Sequence, residues 1–251
     1  MGQTPAWLSR LMNEMLQSLN DKLDILEKSL GYVFKDRSIL LASITHRSFS
    51  AEYYKKIPDY EVLEFLGDAV LSLIVSEVLI KEFPQAREGE LSQIRSAIIS
   101  EVYLSKLARE LNLQDYILIS RGERYQKGSE RDSLLCDVFE AVFGAMYIDA
   151  GYSIDIPRDI FLMYFKDKII TDIKTDNIPR DFKSLLQIET QRIYGTLPKY
   201  RLLKEEGPEH EKIFTVECKV DNITTIGKGK SKKEAETQAA KEAYHIIKPD
   251  I

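Results

Sequence analysis

The stretch that decides the fold is Tyr60–Val78, which reads YEVLEFLGDAVLSLIVSEV. Apolar residues fill most of its positions, so the pattern predicts a helix that is buried on most sides. Three carboxylates nevertheless fall on one stripe of this helix, at Glu61, Glu64 and Asp68. Because burying an unpaired carboxylate costs several kcal/mol, this stripe requires a partner that offsets its charge.

A second apolar helix repeats the anomaly. The segment LLCDVFEAVFGAMYIDAGY, residues 134–152, carries Asp137 and Glu140 three positions apart within an apolar run. Like charges that share a site raise one another's pKa. The carboxylates of the two helices therefore need a common counter-charge.

Two kinds of partner can offset these carboxylates. Basic side chains such as Arg47 and Arg95 would turn them into structural salt bridges, although a buried ion pair gains little over apolar packing. A divalent cation would turn them into a metal site, and oxygen ligands favour Mg²⁺ or Mn²⁺ over zinc. Two carboxylates from each of two antiparallel helices can hold one or two ions over a phosphate, where such ions activate water and neutralise the leaving oxygen.

The periodicity of the chain changes near residue 173. Apolar residues at three- and four-residue steps predict an amphipathic helix over 5–30, and the pattern stays helical to about residue 172. The polar segment Ile173–Pro179 ends in proline, which is typical of a linker. We therefore predict an amphipathic N-terminal helix in 1–19, a mostly helical domain in 20–172, a linker in 173–179 and a second domain in 180–248.

The second domain has the pattern of a small α+β module. Alternation of apolar and other side chains marks its central strand, and an Asp-Asn pair marks the hairpin that follows. The order α-β-β-β-α predicts both helices on one face of an antiparallel sheet. The predicted elements are a helix at 182–194, strands at 198–204, 213–220 and 223–229, and a helix at 234–247.

The last of these helices begins in a lysine-rich segment. Ser231 and Glu234 have the S-x-x-E spacing of a capping box, at a helix start whose free backbone N–H groups and dipole attract anions. Three lysines surround this start: Lys230, Lys232 and Lys233. The group is suited to phosphates, and the alternative is an exposed lysine-rich helix start that binds nothing.

Composition argues against several classes of protein. Of 251 residues, 44% are hydrophobic and 30% are charged, which is typical of a soluble globular chain. No apolar run approaches the roughly 18 residues of a membrane span. Cys136 and Cys218 have no metal-ligand or disulfide-framework spacing. We expect a cytoplasmic protein with no membrane partner and no organic cofactor.

Charge is distributed unevenly along the chain, whose net charge is −5. Residues 180–251 contain 14 Lys and Arg against 12 Asp and Glu, a net of +2. Residues 1–179 contain 21 against 28, a net of −7. An acidic body joined to a slightly basic tail suggests two separate tasks.

Four collinear blocks resemble the ribonuclease III family. They are Glu61–Leu71 (EVLEFLGDAVL), Thr45–Ser48 (THRS), Glu88–Ser92 (EGELS) and Asp137–Ala145 (DVFEAVFGA). The C-terminal module likewise resembles the double-stranded-RNA-binding domain. The resemblance runs through the whole chain and implies a mostly α N-terminal endonuclease domain followed by an α+β (α-β-β-β-α) RNA-binding domain.

The resemblance also implies a chemistry. Four carboxylates would form a site for Mg²⁺, with Mn²⁺ as a substitute: Glu64, Asp68, Asp137 and Glu140. Asp68 and Glu140 would be indispensable to catalysis, whereas Glu61 and Glu88 would support cleavage less directly. The implied reaction is hydrolysis of double-stranded RNA to 5′-phosphate and 3′-hydroxyl ends with short 3′ overhangs. The implied assembly is a homodimer in which each subunit cuts one strand, and ribosomal RNA precursors are the implied substrates.

In the RNA-binding domain, the resemblance assigns phosphate contacts to Lys230, Lys232 and Lys233. It assigns minor-groove contacts to Gln187 and His210. A domain of this type spans about 16 base pairs and recognises the duplex by shape more than by sequence.

Three positions depart from the family's usual residues. Val62 replaces a basic residue, and Cys136 replaces a small alanine, but neither change removes a metal ligand. Ile188 replaces an acidic residue on the first helix of the RNA-binding domain. This last departure predicts a weaker grip on duplex RNA.

Two other functions compete with the endonuclease. A non-catalytic scaffold that binds duplex RNA would keep the fold, but such a protein would be expected to lack acidic ligands, and all four are present here. A helical metal-binding protein unrelated to RNA would not account for the lysine-rich C-terminal module. The sequence therefore favours the endonuclease.

Overall fold

The computed structural model describes residues 6–52, 57–125, 128–208 and 211–248. In the first helix it describes the side chains of Gln17 and of the residues from Leu19 onward. The chain forms two compact units, Met1–Pro179 and Arg180–Ile251.

The N-terminal unit is built from helices. They are α1 (Ala6–Leu30), α2 (Arg37–Ser43), α3 (Arg47–Glu52), α4 (Glu61–Glu82), α5 (Glu88–Ile98), α6 (Glu101–Glu110), α7 (Arg121–Tyr125), α8 (Asp132–Asp149) and α9 (Asp155–Lys174). Two short 3-10 helices lie between α6 and α7 and between α7 and α8, at Leu113–Asp115 and Gly128–Glu130. This unit is the mostly α domain that the sequence predicts.

Helix α8 lies at the centre of the hydrophobic core, where it packs against α4, α6 and α2. Its Phe139 and Phe143 form a cluster with Phe161 and Phe165 of α9, with ring centroids between 4.9 and 5.7 Å apart. Large buried aromatic side chains contribute much apolar area to a core. These neighbours bury most of the length of α8.

Helix α4 is not buried on most sides, so that prediction is wrong. Leu63, Val70 and Leu71 face the core, but Val62 is 77% exposed and Phe65 is 82% exposed. An apolar pattern that runs all round a helix does not distinguish the packed face from the exposed one. One apolar stripe of α4 therefore remains on the surface of the chain.

Two predicted boundaries of this unit fall within helices. Helix α1 is continuous, so the boundary between 1–19 and 20–172 falls inside a helix. Helix α9 continues to Lys174, and both Ile173 and Ile178 are buried in the core. The predicted linker therefore begins within a helix, because its two isoleucines complete the edge of the core.

The C-terminal unit has the predicted α-β-β-β-α order. Its elements are α10 (Phe182–Tyr194), β1 (Lys199–Glu206), β2 (Ile213–Val220), β3 (Ile223–Gly229) and α11 (Lys232–Ile247). The strands form an antiparallel sheet in the order β1-β2-β3. Asp221 takes a left-handed conformation (φ 47°) in the hairpin turn between β2 and β3.

Small side chains bring α11 close to the sheet. Four alanines on its inner face are buried: Ala235, Ala239, Ala240 and Ala243. Tyr244 of α11 meets Phe182 of α10 with ring centroids 6.0 Å apart. Both helices share one core with Cys218 and Val220 of β2, so they cover the same face of the sheet.

The thiols of Cys136 and Cys218 are buried and free. In the described part of the chain, no helix combines the length and the apolar composition that a membrane crossing requires.

Candidate active site and RNA-binding surface

Helices α4 and α8 touch through their backbones at two glycines. A Cβ atom on Gly67 would lie 1.8 Å from the carbonyl oxygen of Glu140, and one on Gly144 would lie 2.2 Å from the carbonyl oxygen of Leu63. Both distances are far shorter than van der Waals contact, which begins near 3.5 Å. Only glycine is therefore compatible with this crossing.

Each of the two crossing segments carries two of the predicted ligands. On α4, Glu64 precedes Gly67 by three residues and Asp68 follows it directly. On α8, the backbone of Glu140 forms the contact with Gly67, and Asp137 lies about one turn earlier. The four predicted ligands thus occupy adjoining segments of two packed helices.

The burial of these side chains differs from the expectation that all lie inside apolar helices. Glu140 is buried, with 9% of its surface exposed, and Glu64 and Asp137 are half-buried. Asp68 is exposed, because the stripe of α4 that carries it opens to the surface. The acidic group, by which we mean Glu64, Asp68, Asp137 and Glu140, is therefore buried at Glu140 and open to solvent at Asp68.

Two of the carboxylates, Glu140 and Glu64, have raised pKa values to which neighbouring carboxylates contribute. Burial raises the pKa of Glu140 to about 8, and the charges of Asp68, Glu64 and Asp137 add to that effect in decreasing order. The pKa of Glu64 is also raised, first by burial and then by Asp137, Glu61 and Asp68. A positive charge placed near Glu140 and Glu64 would lower both pKa values again.

No described Lys, Arg or His side chain forms an ion pair with any of the four carboxylates. Of the two arginines proposed as salt-bridge partners, Arg47 pairs at the surface with Glu61 of the α4 stripe, and Arg95 contacts a serine of α4. Arg47 lies 3.8 Å from Glu61, and both side chains are largely exposed. Arg95 donates to the hydroxyl of Ser76 at 3.1 Å. The salt-bridge interpretation of the four carboxylates therefore finds no support.

The donor set suits a hard divalent cation. All four side chains offer carboxylate oxygens, which are the ligands that Mg²⁺ and Mn²⁺ prefer. A cation among them would offset the repulsion that helps to raise the pKa of Glu140. Within the described ranges, however, no three His, Cys, Asp or Glu side chains converge into a group that could hold a metal ion. The chemistry of the donors fits a metal, and the metal site stays a prediction.

The two supporting acids lie in different places. Glu61 lines a hollow of about 270 Å³ together with Glu64 and Asp137. Glu88 is the first residue of α5 and accepts a hydrogen bond from the hydroxyl of Ser92 at 2.8 Å. It borders a separate hollow against the later turns of α4. Within one chain, Glu61 joins the acidic group and Glu88 does not.

Two contacts in this group are not predicted from the sequence. Tyr60 donates its hydroxyl to Asp137 Oδ2 at 3.1 Å, and Cys136 Sγ lies 3.9 Å from Glu140 Oε1. Cys136 precedes Glu140 by four residues, so helical spacing is a usable signal for that contact. Tyr60 precedes Asp137 by 77 residues, and no local pattern signals their contact.

The start of α11 forms the predicted cap with one difference. The hydroxyl of Ser231 accepts from the backbone N–H of Glu234 at 3.1 Å. The carboxylate of Glu234 accepts from the backbone N–H of Lys230 at 2.7 Å, one residue earlier than in a standard capping box. Lys230, Lys232 and Lys233 are all exposed around this cap. Three ammonium groups thus stand at the positive end of a helix.

The other predicted RNA contacts are only partly visible. Gln187 is exposed on α10, and so is its neighbour Ile188. His210 lies outside the described residues, so its predicted contact with RNA remains a prediction.

Comparison with known proteins decides the family. Residues 36–156 match the family model described as ribonuclease-III-like, and residues 182–247 match the double-stranded RNA binding motif. Ribonuclease 3 of Aquifex aeolicus (strain VF5) is 41% identical over 225 residues, which cover 90% of this chain and 97% of that relative. The chain belongs to the ribonuclease III family.

Further ribonuclease III relatives agree with this assignment. Ribonuclease 3 of Borreliella burgdorferi is 42% identical over 238 residues, covering 94% of each chain. A solved nuclease domain of ribonuclease III from Campylobacter jejuni is 41% identical with a TM-score of 0.53, and the match covers 58% of this chain and 96% of that one. The predicted family and fold class are confirmed. The N-terminal unit contains the nuclease domain of an endonuclease, and the C-terminal unit is a double-stranded-RNA-binding domain.

Proposed function

We propose that the chain hydrolyses phosphodiester bonds of double-stranded RNA with Mg²⁺, for which Mn²⁺ substitutes. Its products carry 5′-phosphate and 3′-hydroxyl ends with short 3′ overhangs. The observation that carries this proposal is the backbone contact between α4 and α8, because Glu64 and Asp68 lie on one of the touching segments and Asp137 and Glu140 on the other, and the charge of Asp68 helps to raise the pKa of Glu140. Four acids on two touching helices, none of them in an ion pair with a described basic side chain, are better suited to a cation than to any structural task.

The four carboxylates hold the metal in this proposal. A bound divalent cation supplies Lewis-acid chemistry, since it polarises a phosphoryl oxygen and lowers the pKa of an attacking water. Asp68 and Glu140 are the two catalytic ligands. Their assignment is supported by the pKa of Glu140, on which Asp68 has the largest effect of any neighbouring charge. Glu64 and Asp137 complete the ligand set, and Glu61 and Glu88 support cleavage less directly.

We assign catalysis to residues 20–172 and duplex binding to residues 180–248. Structured transcripts such as ribosomal RNA precursors are the proposed substrates, and the cytoplasm is the proposed compartment. A C-terminal domain of the double-stranded-RNA-binding type supports this substrate class.

The proposal is tested by incubating the full chain with long duplex RNA, with Mg²⁺ and after chelation of divalent ions. We expect short duplex products only when Mg²⁺ is present. The rival function is a non-catalytic scaffold, which would bind the duplex and leave its length unchanged in both conditions.

An exposed apolar stripe on α4 supports a homodimer. Val62, Phe65 and Leu73 are at least half exposed, and an apolar hollow of about 470 Å³ opens beside Val62. Isolated exposed apolar residues are ordinary, but a stripe next to a hollow is typical of an interface. The solved Campylobacter jejuni structure concerns a region involved in dimer formation of that nuclease domain. We propose that two subunits pair through this stripe and that each cuts one strand.

Phe65→Glu is expected to produce a monomer. Burying one phenylalanine contributes about 1.5–3 kcal/mol to association. In a twofold-symmetric dimer each subunit buries its own Phe65, so the contribution doubles. The dissociation constant should therefore rise by about 10²- to 10⁴-fold. Sedimentation velocity over a range of protein concentrations measures this change. Met163→Glu, at an exposed apolar position of α9, is the control and should remain dimeric. A Phe65→Glu dimer as tight as the wild type would contradict the proposed interface.

The lysines around the start of α11 are proposed to contact phosphates. Replacing Lys230, Lys232 and Lys233 with glutamine should weaken duplex binding and lower the slope of log affinity against log salt by about 3, since each phosphate contact adds about 1. Gel-shift titrations at several salt concentrations in Ca²⁺ measure that slope. Glutamines at Lys199 and Lys219, exposed on the sheet, serve as the control and should leave the slope nearly unchanged. An unchanged slope in the triple variant would place the phosphate contacts elsewhere.

A further inference from the structure

Tyr60, the residue before α4, contacts both helices of the acidic group. Its hydroxyl donates to Asp137 Oδ2 of α8 at 3.1 Å. Its carbonyl oxygen accepts from the backbone N–H of Glu64 of α4 at 2.9 Å. The side chain is buried, with 5% of its surface exposed. One residue thus links a proposed ligand on one helix to the first turn of the other.

The Thr45–Ser48 block holds Tyr60 in place. The backbone N–H of Tyr60 donates to the carbonyl of Thr45 at 3.0 Å, and Thr45 is fully buried. The ring of His46 lies beside the ring of Tyr60, with centroids 5.9 Å apart. The hydroxyl of Ser48 lies 2.8 Å from Nδ1 of that histidine and accepts from the backbone N–H of Ser120 at 3.0 Å. The Thr45–Ser48 block has no carboxylate of its own, but it holds Tyr60, whose hydroxyl donates to the carboxylate of Asp137.

We propose that Tyr60 is a positioning residue that orients Asp137 as a metal ligand. The proposal rests on the metal site described under the proposed function. A donor fixed on Oδ2 restricts the rotation of the carboxylate and leaves Oδ1 free for a cation, and partners of this kind orient ligands in metal sites. Asp137 is the only hydrogen-bond acceptor of the Tyr60 hydroxyl among the described residues. Because an unsatisfied buried hydroxyl is costly, the pair favours a single arrangement.

Tyr60→Phe tests this role, because it removes the hydroxyl and keeps the ring against His46. We expect the affinity for Mn²⁺ to fall about 10-fold, as for the loss of an outer partner of a metal ligand. The paramagnetic resonance signal of free Mn²⁺, titrated with protein in the absence of RNA, measures this affinity. The Mg²⁺ concentration for half-maximal cleavage should rise by a similar factor, while gel-shift affinity for duplex RNA in Ca²⁺ stays unchanged.

Tyr103→Phe is the matched control. The hydroxyl of Tyr103 is also buried and donates to a carboxylate, Asp172 Oδ2, at 2.8 Å, but this pair joins α6 to α9 outside the acidic group. Its loss should lower the melting temperature and leave the affinity for Mn²⁺ unchanged. If Tyr60→Phe also lowers the melting temperature and leaves the affinity for Mn²⁺ unchanged, Tyr60 has only a structural role and the proposal is overturned.

Asp137→Asn separates this proposal from the one on which it depends. If the wild type and Asp137→Asn bind Mn²⁺ equally, the assignment of Asp137 as a metal ligand fails. If Asp137→Asn binds more weakly and Tyr60→Phe binds as the wild type does, only the positioning role fails. We expect both single variants to bind more weakly, and the double variant to bind no more weakly than Asp137→Asn alone.

Discussion

Replacing Glu140 with alanine is expected to lower the rate of RNA cleavage by about 10³-fold or more, the scale on which the loss of one preorganised electrostatic group acts. Glu140 is the most buried of the four acids and lies at the crossing of α4 and α8. No other described carboxylate stands at that place to substitute for it. Single-turnover cleavage of a duplex substrate in Mg²⁺ measures the rate. Gel shift in Ca²⁺ should show nearly unchanged affinity, since the RNA-binding domain is untouched.

The same variant should gain stability relative to the wild type as the pH rises. Burial, chiefly, raises the pKa of Glu140 from 4.5 to about 8 in the folded chain. Between these two values the native state holds a proton that the unfolded chain has released, so this carboxyl makes the wild type less stable as pH rises. The stability of Glu140→Ala relative to the wild type should therefore increase from pH 5 to pH 8. Thermal unfolding in the absence of divalent ions measures the difference.

Glu27→Ala is a control with the opposite pattern. Glu27 is also buried, but it accepts hydrogen bonds from Arg37 and from the backbone N–H of Phe34. Removing this carboxylate leaves the backbone N–H of Phe34 without its acceptor and should destabilise the chain by about 1–3 kcal/mol, with cleavage retained at temperatures where the variant is folded. If Glu140→Ala cleaved at the wild-type rate, its assignment as a ligand would be wrong. If it failed to bind duplex RNA, the lost cleavage would not report on the metal.

The elements with one clear period are predictable from the sequence. The helix at 182–194 and the strands at 213–220 and 223–229 have the predicted bounds in the structure. The last helix begins at Lys232, two residues before the prediction, because Ser231 is its cap and helical geometry begins directly after a cap. Local chemistry is sufficient for these assignments.

The identity of the acidic residues is predictable, but their arrangement is not. A charge within an apolar helix violates the expected pattern and is visible in the sequence. The sequence does not show that Phe65 is exposed, because α4 has apolar residues on all sides. Which of these sides is buried depends on the helix against which α4 packs. The bond from Tyr60 to Asp137 likewise joins residues far apart in the chain.

Gly67→Ala is expected to lower the free energy of unfolding by about 3 kcal/mol or more, the upper range for overpacking in a core. The added Cβ would lie 1.8 Å from the carbonyl oxygen and 2.4 Å from the carbonyl carbon of Glu140. Neither atom belongs to a side chain that can rotate away, so the two helices must separate. At an open helical site the same change would be stabilising, since alanine has the higher helix propensity. Denaturant unfolding of the nuclease domain within the full chain measures the effect.

Gly89→Ala is the matched control, because a Cβ at this position of α5 meets no atom within 4 Å. It should leave cleavage unchanged and raise stability by up to about 1 kcal/mol. Gly144→Ala lies at the same crossing as Gly67, with a Cβ 2.2 Å from the carbonyl oxygen of Leu63, and should behave like Gly67→Ala.

The Gly67→Ala variant should also cleave slowly under conditions where it remains folded. Separating α4 from α8 moves Asp68 away from Glu140, and a displacement of about 1 Å at a reacting centre costs on the order of 10²-fold in rate. Circular dichroism at the assay temperature distinguishes this displacement from unfolding. If the variant had wild-type stability and cleavage, the backbones would not be in contact at Gly67. The proximity of Asp68 and Glu140 would then lose its structural cause.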